Sequence, residues 1–372
     1  MKRVLQVLNT IDRFGIATFL MNVYRNIDRD KVRFDFLVSR MPQSDLADEL
    51  KEMGSEIFTF FPRGRNPKRH LQSLHDFFSK HASRYDAVHY HSNSFTNIAF
   101  IEVAKKYGIP VRIYHSHSIS TRGWYHRLFH RLNRRRLLQS GTHFLACSSA
   151  AMDWGYKKGS DAYSAGRIIR NGIELSRYSF NPEIRADFRR RHGLEDRFVV
   201  GHMGNFLPVK NYPFLLQVFK RLKERVPEAA LLLVGDGDTS GRADTEALAK
   251  ELGIADSVVF TGLLTDVVPA LQAMDAYLFP SIFEGLPMSV VEAQAAGLHV
   301  VASEAIPEEA GTPETLTRLS LELPADEWVE RIMTCKDRQS ERAVPDRLAD
   351  YDIAATCESL MKIYCEPASF SK

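Results

Sequence analysis

The sequence predicts an α/β protein made of two doubly wound parallel sheets. Three observations lead there. Short apolar runs alternate with segments of helical spacing along most of the chain, the rhythm of β-α-β units covered on both faces. That rhythm pauses at Asn171-Gly-Ile-Glu-Leu-Ser-Arg-Tyr-Ser-Phe-Asn-Pro182, where turn residues dominate, and then resumes. The length, 372 residues, is long for one hydrophobic core and natural for two.

In the first half the strands are expected at Val4–Leu8, Phe34–Val38, Ile57–Phe60, Ala87–Tyr90, Val111–Tyr114, His143–Ala146 and Arg167–Ile169. Helical spacing falls between them at Thr18–Ile27, Pro67–Lys80, Phe95–Tyr107, Trp124–Leu138 and Ser149–Tyr156. A charged helix, Glu183–His192, opens the second half. Strands follow at Phe198–Met203, Ala230–Val234, Val258–Phe260, Ala276–Phe279 and His299–Ala302, with helices at Tyr212–Glu224, Thr245–Leu252, Val267–Met274 and Pro287–Ala296. The boundary is expected near residues 180–195, giving domains 1–180 and 181–345. Residues 346–372 hold a last helix, apolar at helical spacing over Tyr351–Tyr364, that is expected to pack back towards the first domain.

Composition narrows the class. Hydrophobic residues make up 44% and charged residues 26%, as in a folded globular protein, and a net charge of +3 gives no general argument for nucleic acid. The four cysteines, Cys147, Cys335, Cys357 and Cys365, form no CxxC pair and read as buried thiols of a reducing compartment. The N-terminal Met-Lys-Arg-Val-Leu-Gln lacks the pattern of a signal peptide, and no apolar run is long enough to span a bilayer, so a cytoplasmic location is expected. Charge is uneven locally. From Val103 to Met152 there is no Asp or Glu, while Arg127, Arg131, Arg134, Arg135 and Arg136 are interleaved with Trp124, Leu128, Phe129 and Leu132. Such a helix either lies on an anionic membrane surface or packs its apolar side on its own domain.

The candidate chemistry gathers where strands end. In Phe283-Glu-Gly-Leu-Pro-Met-Ser-Val-Val-Glu292 a strand gives way to a proline-opened helix. Pro287 fits the first helical turn, whose N–H groups lack intrahelical partners, and exposed amides with a partial positive charge suit a phosphate. Gly285 lets a ligand approach the main chain, Glu292 on the second turn can accept ribose hydroxyls, and Glu284 in the loop can face a sugar; both glutamates equally suit plain surface charge. In Gly204-Asn-Phe-Leu-Pro-Val-Lys-Asn211 the ammonium of Lys210 stands at the mouth of a helix, as a diphosphate needs or as an ordinary loop allows. Gly235 and Gly237 read as turn glycines, and Gly15 as a tight turn or a close approach to ligand. His89 with His91, and His115 with His117, each share a strand face. No acid or cysteine nearby completes a zinc site, so no metal is expected, and His117 is left to meet a substrate hydroxyl or carbonyl.

Together these stretches resemble the retaining family 4 glycosyltransferases of GT-B fold. The resemblance covers most of the chain and is sharpest at Pro280-Ser-Ile-Phe-Glu-Gly-Leu-Pro-Met-Ser-Val-Val-Glu-Ala-Gln-Ala-Ala-Gly297, which is similar to that family's E-x7-E signature. It implies two Rossmann-like domains facing a central cleft, the first for the acceptor and the second for a nucleotide-sugar. Glu292 would take the ribose, and Lys210 the diphosphate. Glu284, with the amides around Gly285 and Leu286, would hold the donor sugar. His117 would meet that sugar from the first domain, Gly15 would pack near the phosphates, and Asn205 would stand beside Lys210 in the phosphate loop. Transfer would need no metal and would retain the anomeric configuration. The donor is expected to be a UDP-sugar, less readily a GDP-sugar, and the acceptor a lipid-linked saccharide or oligosaccharide in exopolysaccharide, capsule or cell-surface glycan synthesis. Three positions depart from the family pattern: Phe14 and Ala17 stand where a glycine and a Glu are usual, and Asn205 where an Arg is usual. Those departures keep two other readings open, a weakly active or non-catalytic nucleotide-sugar-binding protein and a GT-B epimerase.

Overall fold

The computed structural model describes all residues except 12–14, 43–44, 119–122, 237–238, 337–341, 343–344 and 366–372. Phe14, Arg122 and Gly237 therefore lie outside the described residues. The chain divides into two compact units: Met1–Ile173 joined by Tyr351–Lys372, and Glu174–Asp350.

The first unit is a seven-stranded parallel sheet: β1 (Lys2–Val7), β2 (Val32–Val38), β3 (Ile57–Thr59), β4 (Ala87–Ser92), β5 (Val111–Ser116), β6 (His143–Ala146) and β7 (Arg167–Ile168). Their spatial order is β3-β2-β1-β4-β5-β6-β7. Growth outward in both directions from β1 puts the topological switch between β1 and β4, where open α/β sheets hold their ligands. The connecting helices are α1 (Ile16–Asn26), α2 (Asp45–Glu52), α3 (Pro67–His81), α4 (Ala99–Lys106), α5 (Trp124–Ser140), α6 (Ser149–Gly155) and α7 (Asp161–Ser164). Asn66 and Ser148 start α3 and α6 by accepting from Arg69 N and Ala151 N, the usual answer to unpaired first-turn amides.

The second unit opens with α8 (Leu175–Tyr178) and α9 (Pro182–His192). Its six parallel strands are β8 (Phe198–Met203), β9 (Ala229–Val234), β10 (Val258–Gly262), β11 (Ala276–Phe279), β12 (Val300–Ser303) and β13 (Leu316–Leu319), ordered β10-β9-β8-β11-β12-β13. Here the switch lies between β8 and β11. The helices are α10 (Tyr212–Arg225), α11 (Thr239–Glu251), α12 (Val268–Ala273), α13 (Met288–Ala295) and α14 (Ala325–Met333). The last helix, α15 (Ile353–Cys365), belongs to the first unit: Ile353, Cys357, Leu360, Ile363 and Tyr364 lie in one core with Phe19, Leu20, Tyr24 and Phe34.

Several expectations need correction. Pro287 is the cap residue before α13 rather than part of its first turn, with φ −75° and ψ 107°. Cys365 is exposed at the end of α15, whereas Cys147, Cys335 and Cys357 are buried. The helix expected from Phe95 begins at Ala99, because Asn97 Oδ1 accepts from Ala99 N and Phe95 is drawn into the core beside Tyr114. The elements α2, β13 and α14 were not anticipated.

Candidate active site

The two loops that leave β8 and β11 are neighbours because their strands pair across the switch point of the second unit. Lys210 ends the first loop, and Glu284 lies in the second. Lys210 Nζ donates to Glu284 Oε1 at 2.7 Å, both side chains being largely buried. The ammonium also lies 4.6 Å from the centroid of the Phe279 ring, so its apolar stem and charge are both held. Backbone geometry fixes the pair. Ile282 N donates to Val209 O at 2.8 Å, tying one loop to the other. Asn211 adopts the left-handed region, φ 59°, and its side chain donates to Pro280 O, which turns the chain sharply into α10. Gly204 packs under the lysine, where an added Cβ would come 3.1 Å from Lys210 Cε. The sequence assigned Lys210 and Glu284 to different parts of a ligand, 74 residues apart in the chain; the structure makes them an ion pair.

Beyond Glu284, the amides of Gly285 and Leu286 have no acceptor among the described residues, and open space surrounds the position of a Cβ on Gly285. They precede α13, whose first turn carries no acidic residue and whose cap makes no side-chain bond. An uncompensated helix start beside an ammonium is a place of positive potential. Glu292 follows one turn along α13. Burial pushes its carboxyl up to about 7, against a hydrogen bond from Tyr178 and the nearby charge of Arg177, which both favour the ionised form. Tyr178 belongs to α8, so the short helix after the boundary caps the acid. Asn205 is half-buried in the β8 loop.

Sequence reasoning missed Tyr178, Arg177 and His202. His202 is fully buried on β8, its Nδ1 bonded to Leu278 O, and its Nε2 has no partner among the described residues. Burial and the Lys210 charge depress it to about 3, so it is a neutral group under the lysine. The visible signal was a histidine inside an apolar strand that ends in glycine.

In the first unit, His117 follows β5, and His115 sits in register opposite His91 of β4. His91 Nδ1 lies 2.9 Å from His117 Nε2, and the rings of His91, His115 and His117 pack around Phe19 of α1. Burial lowers His117 to about 3. Nitrogen atoms of His89, His91 and His115 come within 4.8 Å of one another, a spacing that a metal ion could use. Gly15 starts α1 with φ 50°, a conformation that favours glycine, and its carbonyl accepts from Phe19 N. Ala17 is buried in the core formed with α15.

Two parallel-sheet α/β units, the second with a cationic loop pair at its switch point, define the GT-B architecture. Residues 15–177 match the model described as Glycosyltransferase Family 4, and residues 197–334 the one described as Glycosyl transferases group 1. EpsF of Bacillus subtilis (strain 168), a glycosyltransferase by assignment, is 32% identical over 374 residues, covering 98% of this chain and 96% of that protein. The GDP-mannose-dependent α-(1-6)-phosphatidylinositol monomannoside mannosyltransferase of Mycolicibacterium smegmatis is 35% identical over 154 residues, 39% of each chain. Among solved structures, Anabaena HepE in complex with UDP and glucose aligns with a TM-score of 0.81 at 18% identity, over 98% of this chain and 100% of that one. The chain belongs to glycosyltransferase family 4 and is a glycosyltransferase.

Proposed function

We propose that the protein transfers a sugar from a UDP-sugar to a lipid-linked saccharide or oligosaccharide, with retention, in the assembly of a polysaccharide or other cell-surface glycan. The observation that carries this reading is the Lys210–Glu284 pair beside the unpaired amides of Gly285 and Leu286. A diphosphate arriving there exchanges one anion for another at Lys210 and frees Glu284 for the hydroxyls of the donor sugar. Glu292 takes the ribose hydroxyls once ionised. As the bond from sugar to diphosphate breaks, negative charge grows on the leaving phosphate, where the ammonium and helix-start amides already point. These donors supply the charge that a metal would otherwise bring, so the reaction proceeds without one. Asn205 lines the same loop, and His117 and Gly15 are assigned to the donor's sugar and phosphates. HepE has been solved with UDP-glucose, which supports a UDP-sugar, and the GDP-mannose-dependent relative keeps a GDP-sugar as the second choice.

The acceptor class rests on α5. Its buried stripe mixes Leu137, in the apolar core, with His130 and Asn133, whose Nε2 and Nδ2 bond to Trp154 O and Phe95 O, while Trp124 (78% exposed), Leu128 and Leu132 face outward among Arg127, Arg131 and Arg135. An exposed row of aromatic, aliphatic and basic side chains fits an anionic lipid surface.

UDP release with a membrane acceptor tests the donor site. Glu284→Gln and Lys210→Ala should each lower kcat by roughly a hundredfold, the scale of one lost charge-stabilising donor. Undiminished turnover in both variants overturns the assignment. A chelator should leave the wild-type rate unchanged, and the product should keep the donor's anomeric configuration by NMR.

A further inference from the structure

Three histidines on two adjacent strands of the first unit, and His117 just after one of them, are joined through one buried amide. Gln6, His89 and His115 are 0% exposed, and His91 is 2% exposed. Gln6 Nε2 donates to Tyr364 Oη at 3.3 Å, and Gln6 Oε1 lies 2.9 Å from His91 Nε2. Tyr364 Oη is 2.7 Å from His89 Nδ1, and His89 Nε2 is 3.2 Å from His115 Nδ1. On the other branch, His91 Nδ1 meets His117 Nε2 at 2.9 Å.

With the Gln6 amide oxygen turned to His91 and its nitrogen to Tyr364, the donors follow in turn. Gln6 Oε1 only accepts, so His91 carries its proton on Nε2. His91 Nδ1 is then a bare acceptor, and His117 must carry its proton on Nε2. Along the other branch, Tyr364 Oη accepts from Gln6 and donates to His89 Nδ1. His89 therefore bears its proton on Nε2 and donates to His115 Nδ1, leaving His115 Nε2–H as the buried group with no partner. Burial holds all four rings neutral, so each has one proton to place. The spacing that would suit a metal is thus already occupied: of the six ring nitrogens of His89, His91 and His115, all but one are hydrogen-bonded.

We infer that Gln6 is a positioning residue that locks His117 as its Nε2–H tautomer, so that His117 offers the Nδ1 lone pair, with no partner among the described residues, as an acceptor for a substrate hydroxyl. Tyr364 of the last helix orients the amide that sets this choice. The inference deepens the role given to His117 under the proposed function and rests on it only for the nature of the ligand. His117 then acts as a neutral hydrogen-bond acceptor and not as an acid or a cation.

Nitrogen-15 NMR of the full chain labelled at histidine reads the tautomer directly, with His117 assigned by the loss of its signals in His117→Gln. The expected result at pH 7 is a protonated Nε2 and an unprotonated Nδ1 on His117. Gln6→Met should mix the two tautomers and lower kcat/KM by about fivefold to tenfold, the effect of one neutral hydrogen bond. His91→Gln restores an acceptor for His117 Nε2–H and should keep the wild-type tautomer. Tyr364→Phe should shift His89 and His115 signals and, by freeing the Gln6 amide to turn, bring part of His117 into the Nδ1–H form. A proton on His117 Nδ1 in the wild type, or a His117 tautomer indifferent to Gln6→Met, overturns the inference. So does stoichiometric zinc in the purified protein by elemental mass spectrometry. If the NMR result holds but His117→Ala transfers sugar at the wild-type rate, the relay stands and the failure belongs to the role proposed for His117 in transfer.

Discussion

Glu292 shows how one side chain can carry both stability and ligand binding. Its carboxyl sits near 7 when folded, against about 4.5 when free. Between those values the unfolded chain gives up the proton and the folded chain keeps it. Stability therefore falls as pH rises from about 4.5 to about 7 and is level above, by up to about 3 kcal/mol. Urea midpoints at pH 5 and pH 8 should show that slope in the wild type and lose most of it in Glu292→Gln. Affinity for UDP should move the other way, rising through pH 7 as the carboxylate becomes free to accept ribose hydroxyls; calorimetry across that range checks it. At the same scale, Gly235 has φ +141°, and an added Cβ would lie 2.1 Å from Gly204 O. Gly235→Ala must move the backbone under Lys210, so UDP binding should weaken more than the fold does, as titration and a melting curve would together show. The individual site residues were readable as residue types at strand ends, but their partnerships were not. Nothing in a chain tells that Lys210 and Glu284 neutralise each other, because the pairing depends on β8 and β11 being adjacent across the switch.

Elements were legible where burial is one-sided and periodic. The strands Phe198–Met203 and Ala276–Phe279 have the bounds read from the sequence, being apolar runs cut off by Gly and Pro. The strand β13, Leu316–Leu319, escaped notice because an edge strand alternates polar side chains and is only partly buried. The helix α11 starts six residues before the expected Thr245. Its first turns are polar and hold Gly241, a residue that argues against helix until one sees that a Cβ there would strike Phe206 O at 2.1 Å. Helix α9 was expected, but not what anchors it. Arg185 and Arg189 donate to the two oxygens of Asp275 at 2.5 and 2.6 Å, and Val199 N donates to the same carboxylate at 2.7 Å. Asp275 is buried between α12 and β11 and so clamps α9 to the root of the sheet. Arg342 also lies 3.8 Å from this carboxylate, so Asp275→Ala leaves three largely buried guanidinium groups without their counter-ion and should cost about 3–5 kcal/mol in urea unfolding. A loss below 1 kcal/mol would show that water reaches the arginines.

At the scale of the molecule, the reading of two doubly wound sheets was available because hydrophobic rhythm and length are properties of the whole chain. The outward aromatic and aliphatic row of α5 was not, since spacing alone cannot say which side of a helix meets the core. Its exposed Trp124 and arginines give a direct expectation. The protein should co-sediment with vesicles rich in phosphatidylglycerol and not with neutral ones. Trp124→Ala with Arg131→Glu should abolish that at about 150 mM salt, where exposed charges are screened within about 8 Å, while UDP affinity stays as it was. Vesicle binding unaffected by the double change would remove α5 from the acceptor side.

The return of α15 to the first unit also sets a timetable. A ribosome finishes every strand of the first sheet by residue 168, yet the apolar face that Leu360, Ile363 and Tyr364 will cover stays open until residue 364 has been read. Glu174–Asp350 meanwhile emerges whole and can fold on its own schedule. The first unit is thus completed after the second, and a released chain truncated after residue 350 should present a protease-resistant second half attached to a still-digestible beginning.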